Sequence, residues 1–159
     1  MFCQLEHELE LPVPASEAWD LFGTLRIWEV VEEEVPELLK VEIIEGDGEV
    51  GTILKLTFTP DVPGPGGYKE KITKIDNEKR IKEVEVVEGE FLDFIGLTLF
   101  RVRSEVREKG EDSSVIKSTM EYEVKEEASA SIISIRGLAR IVEACKNYLN
   151  RNKATKEAK

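Results

Sequence analysis

Two neighbouring segments of the chain direct an acid and an amine toward the same side as apolar residues. In residues 80–87, Lys82 alternates in step with two valines, while the glutamates between them take the other side. In residues 67–72, Tyr68 and Glu70 alternate in step with an isoleucine. Because successive side chains of a β-strand point to opposite faces, both patterns predict that Glu70 and Lys82 face the protein interior.

A buried amine near a carboxylate is suited to proton transfer. Burial lowers the pKa of a lysine from about 10.4, and a nearby carboxylate raises it again. Such a pair can shuttle protons, and a desolvated amine can meet a carbonyl group or polarise a phenol. The same pattern also fits a structural ion pair, or a lysine whose ammonium reaches out to solvent. Both interpretations remain open from these residues alone.

The elements that must position these residues follow from the hydrophobic periodicity. Alternation over the first eleven residues predicts a strand, two short helices follow, and six more strands come in hairpin succession. A turn at residues 76–78 makes the two segments of interest adjacent. Strand six is predicted from about Phe91 to Val106, with Gly96 as a bulge or bend. Apolar residues at three- and four-residue spacing predict a long final helix, starting near residues 132–133.

This order indicates an α+β protein in which an antiparallel sheet has one wet face and one dry face. The final helix is the natural cover for the dry face, and we expect a cavity between sheet and helix. At 159 residues the chain is predicted to be one domain over 1–159, with a frayed tail from about residue 151.

The net charge of the chain favours some classes of binding partner over others. The formal net charge is -11 and the pI is about 4.8, which disfavours nucleic acid and anionic membranes and favours a cationic amine ligand. No apolar run reaches the roughly 18 residues of a membrane span. The acidic N-terminus lacks the basic region of a signal peptide, so we expect a cytoplasmic protein.

Several motifs fail as cofactor or metal sites. The glycine pattern over residues 46–51 resembles a dinucleotide fingerprint as a string, but a strand rather than a helix is predicted after it. His7, the only histidine, is predicted inward, as a satisfied interior residue or a general base. Cys3 and Cys145 match no metal or redox spacing and are predicted to be free thiols. We therefore expect no cofactor and no metal.

Two segments carry a family resemblance. Residues 44–54, IEGDGEVGTIL, and 87–93, VEGEFLD, resemble the birch-pollen-allergen, or class 10 pathogenesis-related, family, and the likeness covers nearly the whole chain. It implies the helix-grip fold, a seven-stranded antiparallel sheet wrapped around a long C-terminal helix with a large internal apolar cavity.

Within that family the chain resembles norcoclaurine and norbelladine synthases, at residues 7–10, 68–71, 75–82 and 114–118. These enzymes condense dopamine or tyramine with an aromatic aldehyde to an iminium, and norcoclaurine synthase then closes a ring in a Pictet–Spengler reaction. The resemblance implies that Lys82 holds or deprotonates a catechol hydroxyl, or engages the aldehyde carbonyl. It implies that Glu70 moves protons, and that Tyr68 orients the amine or polarises the carbonyl.

The resemblance also marks a departure, because the family's catalytic aspartate falls at about Val102. No carboxylate takes this inward place, because Arg101 and Arg103 have the outward parity. The residues expected to bind substrate are Leu56, Phe58, Val84, Leu99, Phe100, Val102, Met120 and Ile141.

The function that these observations predict is a Pictet–Spenglerase-like carbon–nitrogen lyase, a condensing enzyme of plant alkaloid biosynthesis. It would be a monomer or weak dimer with small-molecule substrates. The alternative is a non-catalytic binding protein for an apolar plant ligand such as a cytokinin, flavonoid or alkaloid.

Overall fold

The structure is a computed structural model that describes residues 1–60, 66–89, 96–125 and 134–157. Its elements follow the chain as β1 (Phe2–Leu11), α1 (Ala15–Phe22), α2 (Arg26–Glu34), β2 (Leu39–Glu45), β3 (Ile53–Phe58), β4 (Gly67–Asp76), β5 (Ile81–Gly89), β6 (Leu97–Gly110), β7 (Ser113–Val124) and α3 (Arg136–Glu157). This order confirms the predicted helix-grip architecture.

The seven strands form one sheet in the order β1-β7-β6-β5-β4-β3-β2, and every neighbouring pair is antiparallel. Strands β2 to β7 pair in hairpin succession, and β1 joins the open side of β7. The predicted succession is confirmed. Strands β4 and β5, which carry the acid and the amine, therefore lie inside the sheet and are paired on both sides.

Apolar side chains divide into two buried clusters. The first joins α1, α2 and α3 to the sheet and includes Leu11, Val31, Leu54, Val106, Ile116 and Cys145. The second contains Val86, Leu97, Phe100, Met120, Tyr122 and Val124, with Leu138 of α3 packed against it. Because both clusters draw on the same strands at different heights, the residues between them form a boundary zone on the inner face.

The outer face of β5, β6 and β7 is held by ion pairs. Arg103 lies 2.7 Å from Glu83 on one side and 2.7 Å from Glu121 on the other, and Arg101 lies 2.9 Å from Glu85. These contacts cross between neighbouring strands, where oppositely charged pairs favour one alignment of the strands. They confirm that Arg101 and Arg103 point away from the interior.

Strand β6 differs from its prediction at both ends. It begins at Leu97 and ends at Gly110, four residues past the predicted end at Val106; the predicted start near Phe91 lies outside the described residues. Gly96 has a φ of +75°, a value that favours glycine. The pairing of β6 with β7 shifts register directly after Leu97, so the predicted irregularity at this point is confirmed.

Helix α3 extends further along the chain than the sequence predicts. It begins at Arg136 and continues to residue 157, whereas its predicted start at residues 132–133 lies outside the described residues. The guanidinium of Arg151 pairs with Glu34 of α2, which ties the last turns of the helix to the rest of the protein. The helix therefore continues past residue 151, and the fraying of the tail from about that residue stays a prediction.

Candidate active site

The hairpin between β4 and β5 is fixed by its own hydrogen bonds. The carboxylate of Asp76 accepts hydrogen bonds from the backbone N–H groups of Glu78 (3.1 Å) and Lys79 (2.9 Å). The indole Nε1 of Trp19, on α1, donates a 3.0 Å hydrogen bond to Asn77 Oδ1. The predicted turn is confirmed, and α1 holds its tip in place.

Glu70 and Lys82 are both buried, with 4% and 7% of their surface exposed. The backbone pairs Glu70 with Leu54 and Val86, and it pairs Lys82 with Ser104 on the far side of β5. Both side chains share the inner face with apolar residues. Their predicted inward placement is confirmed, whereas their catalytic roles stay predictions.

The acid and the amine are not direct cross-strand partners. The partner of Glu70 on β5 is Val86, four residues from Lys82, which corresponds to about 13 Å at about 3.3 Å per residue. The described part of the chain has no ion pair within 4 Å between the two groups. The backbone thus separates the two residues along the strands, while the charge of each side chain still acts on the pKa of the other.

Burial controls the protonation of all three predicted catalytic groups. It raises the pKa of Glu70 from 4.5 to about 7, although the Lys82 ammonium acts in the opposite direction. Burial lowers the pKa of Lys82, and the Glu70 carboxylate opposes this change. Burial and the Glu70 charge together raise the pKa of Tyr68 well above 10. At neutral pH Glu70 can therefore both accept and donate a proton, while Tyr68 keeps its proton and acts as a donor.

Tyr68 lies where the two apolar clusters meet. Its ring centroid is 5.6 Å from that of Phe58 and 6.1 Å from that of Phe100, with tilted planes in both cases. Phe100 in turn lies 6.4 Å from Tyr122. These separations are typical of favourable aromatic pairs. The half-buried Tyr68 thus connects this group of aromatic rings to the carboxylate of Glu70, two residues further along β4.

Most of the predicted substrate-binding residues lie on the inner face, but in different places. Leu56 and Ile141 belong to the first cluster, and Phe58 packs against that cluster. Phe100 and Met120 belong to the second cluster, which Val102 also contacts. Val84 pairs with Ile72 and Val102 at the height between Glu70 and Lys82.

The prediction for Leu99 is wrong. It pairs with Glu123, whose side chain is exposed on the outer face, while its neighbour Phe100 pairs with the buried Tyr122. Adjacent residues of a regular strand cannot share one face. Phe100 alternates in step with the inward Val102, and Leu99 alternates in step with the outward Arg101, so Phe100 is the inward residue and Leu99 the outward one.

Val102 occupies an inward position at the height where the resemblance implies an aspartate. Its cross-strand partners are Val84 and Met120. In the described residues, Glu70 and Lys82 are the only charged side chains that are buried. An ammonium group bound at this level would therefore have Glu70 as its buried carboxylate partner.

Sequence reasoning missed a polar row that extends from Lys82. Ser104 lies opposite Lys82, Ser118 lies opposite Ser104, and His7 lies opposite Ser118. The inward parity of His7 and Ser118 is visible in the sequence, but their alignment across four strands depends on register. Once the strands are aligned, each of the four carries a polar residue at the same height, and this repetition is the signal that reveals the row.

Other chemistries have little support in the described ranges. Both cysteines are free, as predicted, and burial near Glu34 raises the pKa of the Cys145 thiol to about 12, so it is a poor nucleophile. Residues 1–60, 66–89, 96–125 and 134–157 contain no cluster of three metal-binding side chains. None of the described helices combines the length and apolar character needed to cross a membrane.

Comparison with known proteins identifies the family. The sequence model of one protein family, described as the Pathogenesis-related protein Bet v 1 family, matches residues 1–152 of this chain. The chain belongs to this family. Among Bet v 1 relatives, it is 48% identical over 128 residues to norbelladine synthase from Narcissus pseudonarcissus, which covers 80% of this chain and 78% of that protein. It is 44% identical over 130 residues to S-norcoclaurine synthase from Thalictrum flavum subsp. glaucum, covering 77% of this chain and 58% of that longer protein.

A solved structure agrees with the fold. Norcoclaurine synthase from Thalictrum flavum, in complex with dopamine and hydroxybenzaldehyde, superposes with a TM-score of 0.84 at 36% identity. The match covers 95% of this chain and 88% of that one. The resemblance to the two synthases, inferred first from short segments, is therefore confirmed.

Proposed function

We propose that this protein condenses an arylethylamine, such as dopamine or tyramine, with an aromatic aldehyde to form an iminium. The observation that carries the proposal is the burial of Glu70 and Lys82 on the inner face of a Bet v 1 sheet. Isolated charges are costly to bury, and both have a use in this reaction. The similarity to a norcoclaurine synthase that binds dopamine and hydroxybenzaldehyde supports the same chemistry.

The proton transfers follow from the electrostatics of the site. Glu70, with its pKa near 7, takes a proton from the substrate ammonium, and the free amine adds to the carbonyl carbon. Tyr68 donates a hydrogen bond to the carbonyl oxygen, which becomes the carbinolamine hydroxyl by taking the proton lost from nitrogen. Glu70 then returns its proton to this hydroxyl, which leaves as water. The product is an iminium, and Glu70 is again a carboxylate.

Lys82 is proposed to hold a ring hydroxyl of the amine substrate. Its lowered pKa makes the amine a better proton acceptor than an exposed lysine, so it can also deprotonate a phenol and activate the ring for cyclisation. With ring closure the enzyme would be a Pictet–Spenglerase-like carbon–nitrogen lyase. Glu70 would then remove the proton from the ring carbon.

The experiment combines the protein with dopamine or tyramine and several aromatic aldehydes. Iminium trapped by borohydride reduction would report condensation, and chiral chromatography would report any cyclised product. Product should form faster than in buffer, with an enantiomeric excess when a ring closes. Racemic product at the buffer rate would refute the proposal. Lys71→Ala is the matched control for Lys82→Ala, because Lys71 lies on β4 but is exposed.

Val102 favours one alternative function. An apolar residue in place of an inward carboxylate suits a non-catalytic protein that binds an apolar plant ligand such as a cytokinin, flavonoid or alkaloid. That function would give saturable binding of such a ligand together with no acceleration of condensation. Val102→Asp would then be expected to weaken binding of the apolar ligand, because it introduces a carboxylate between Val84 and Met120.

We further propose that the protein acts in the cytoplasm as a monomer or weak dimer. Light scattering across a concentration series would test the oligomeric state, and a fluorescent fusion expressed in plant cells would test the location. A stable tetramer, or a fusion retained in an organelle, would contradict these proposals.

A further inference from the structure

A continuous row of polar residues crosses the inner face of four strands. His7 of β1, Ser118 of β7, Ser104 of β6 and Lys82 of β5 are successive cross-strand partners. Directly opposed residues of antiparallel strands have Cβ atoms about 4.5–5.5 Å apart. The hydroxyls and the imidazole therefore continue, at short intervals, the line that begins at the buried ammonium.

Apolar residues border this row on both sides. Toward the second cluster, the neighbouring residues on the same face are Leu5, Met120, Val102 and Val84, which themselves align across the strands. Toward the first cluster they are Leu9, Ile116 and Val106. The row is thus a narrow polar strip between two apolar surfaces, which suits a ligand with an apolar body and a polar edge.

Two atoms of the row are buried and lack a hydrogen-bond partner. They are Oγ of Ser118, a residue with no exposed surface, and Nδ1 of His7. Buried polar groups are normally paired, and an unpaired one costs free energy. By contrast, Ser114, which is equally buried on the same side of β7, donates a 2.8 Å hydrogen bond to the carbonyl of Val13. Burial on this face of β7 therefore does not by itself leave a serine hydroxyl unpaired, although in the described residues two buried atoms outside the row also lack a partner.

We propose that Ser104, Ser118 and His7 form a subsite that recognises a second ring hydroxyl, next to the hydroxyl held by Lys82. This inference rests on the proposed function and adds substrate specificity to it. An aromatic ring lying on Val84, Val102 and Met120 would point its polar edge at the row. Serine hydroxyls can donate and accept hydrogen bonds, as a neutral hydroxyl requires.

A ligand with two adjacent hydroxyls fits this row better than a ligand with one. A single hydroxyl at Lys82 leaves the Ser104 and Ser118 hydroxyls without a ligand partner, whereas a catechol supplies a second donor and acceptor beside them. Sites that hydrogen-bond a substrate hydroxyl discriminate against analogues that lack it, because the site's own polar groups are then left unpaired. Ser118 is thus a specificity-determining residue for catechol amines over phenol amines.

The test compares the affinities of dopamine and tyramine by isothermal titration calorimetry, without aldehyde. The wild type should bind dopamine about three- to tenfold more tightly, the range expected for one net hydrogen bond. Ser118→Ala and Ser104→Ala should each reduce this preference toward one while leaving tyramine binding unchanged. Ser118→Ala should also melt no lower than the wild type, because it removes an unpaired hydroxyl. Ser114→Ala, the matched control, should keep the preference and lose stability.

Equal affinities in the wild type would overturn the inference, as would a preference that both row variants retain. Either result would leave the proposed function standing if iminium still forms in the condensation assay. Conversely, a preference that depends on Ser118 in a protein without turnover would support the subsite and refute the proposed enzyme. Because Ser104→Ala probes the same row from another strand, the inference stays testable if Ser118→Ala fails to fold.

Discussion

The raised pKa of Glu70 predicts that replacing it by glutamine stabilises the protein at alkaline but not at acidic pH. The carboxyl loses its proton near pH 4.5 in the unfolded chain and near pH 7 in the folded protein. Between these values the folded state binds more protons than the unfolded state. The stability of the wild type therefore falls as pH rises through this window, whereas Glu70→Gln has no such proton to lose.

The magnitude follows from the two pKa values. Their difference is about 2.5, and each pKa unit corresponds to about 1.4 kcal/mol, so ionising Glu70 in the folded state costs about 3 kcal/mol. Relative to the wild type, Glu70→Gln should gain about this free energy of unfolding between pH 4.5 and pH 8. Loss of the Glu70 carboxylate also lowers the pKa of Lys82 further. This change adds to the stability that Glu70→Gln gains over the wild type as the pH rises.

Urea titrations followed by tryptophan fluorescence at both pH values would measure the difference. They require dilute protein, since the lower pH lies close to the pI of 4.8. Glu78→Gln, which removes an exposed carboxylate from the β4–β5 turn, controls for the change in net charge. A difference between Glu70→Gln and the wild type that is the same at pH 4.5 and pH 8 would refute the reasoning about burial.

Three further predictions follow from other contacts. Lys82→Ala should reduce condensation at least about 100-fold, the lower end for a positioned proton-transfer group, and retained activity would remove Lys82 from the mechanism. Thr52→Val should lower the free energy of unfolding by about 2 kcal/mol, because Thr52 Oγ1 donates a hydrogen bond to the Glu49 carbonyl (2.6 Å) and accepts one from the Gly48 N–H (2.9 Å). An unchanged midpoint of urea unfolding would contradict this prediction. Arg103→Gln should cost about 1 kcal/mol at low salt and less at about 1 M salt, whereas a salt-independent loss would point to packing instead.

The placement of Glu70 and Lys82 could be predicted from sequence because alternation is a local property. Each residue lies within an alternating run whose apolar members identify the buried side. The two runs are separated only by a turn whose residue types are recognisable in the sequence. No knowledge of the neighbouring strands was needed. The same local reasoning gave the element order and the outward direction of Arg101 and Arg103.

Features that depend on register could not be predicted in the same way. The shift after Leu97 places Leu97 on the inner face, although it shares the odd parity of the outward Leu99 and Arg101. The distance between Glu70 and Lys82 and the alignment of Ser104 with Ser118 also depend on how each strand slides against the next. Irregularities such as the register shift between Ile72 and Lys74 change that alignment. The sequence of one strand alone does not show how that strand pairs with the next.

The arginines on the outer face have a consequence for how this fold can change over time. Their ion pairs align β5, β6 and β7 from the outer face, so the alignment does not depend on which residue points inward at position 102. Selection can therefore exchange valine and an acid there while the framework stays intact. A carrier of small molecules and a catalyst would then be separated by single inward substitutions, and one ancestral scaffold could give rise to both.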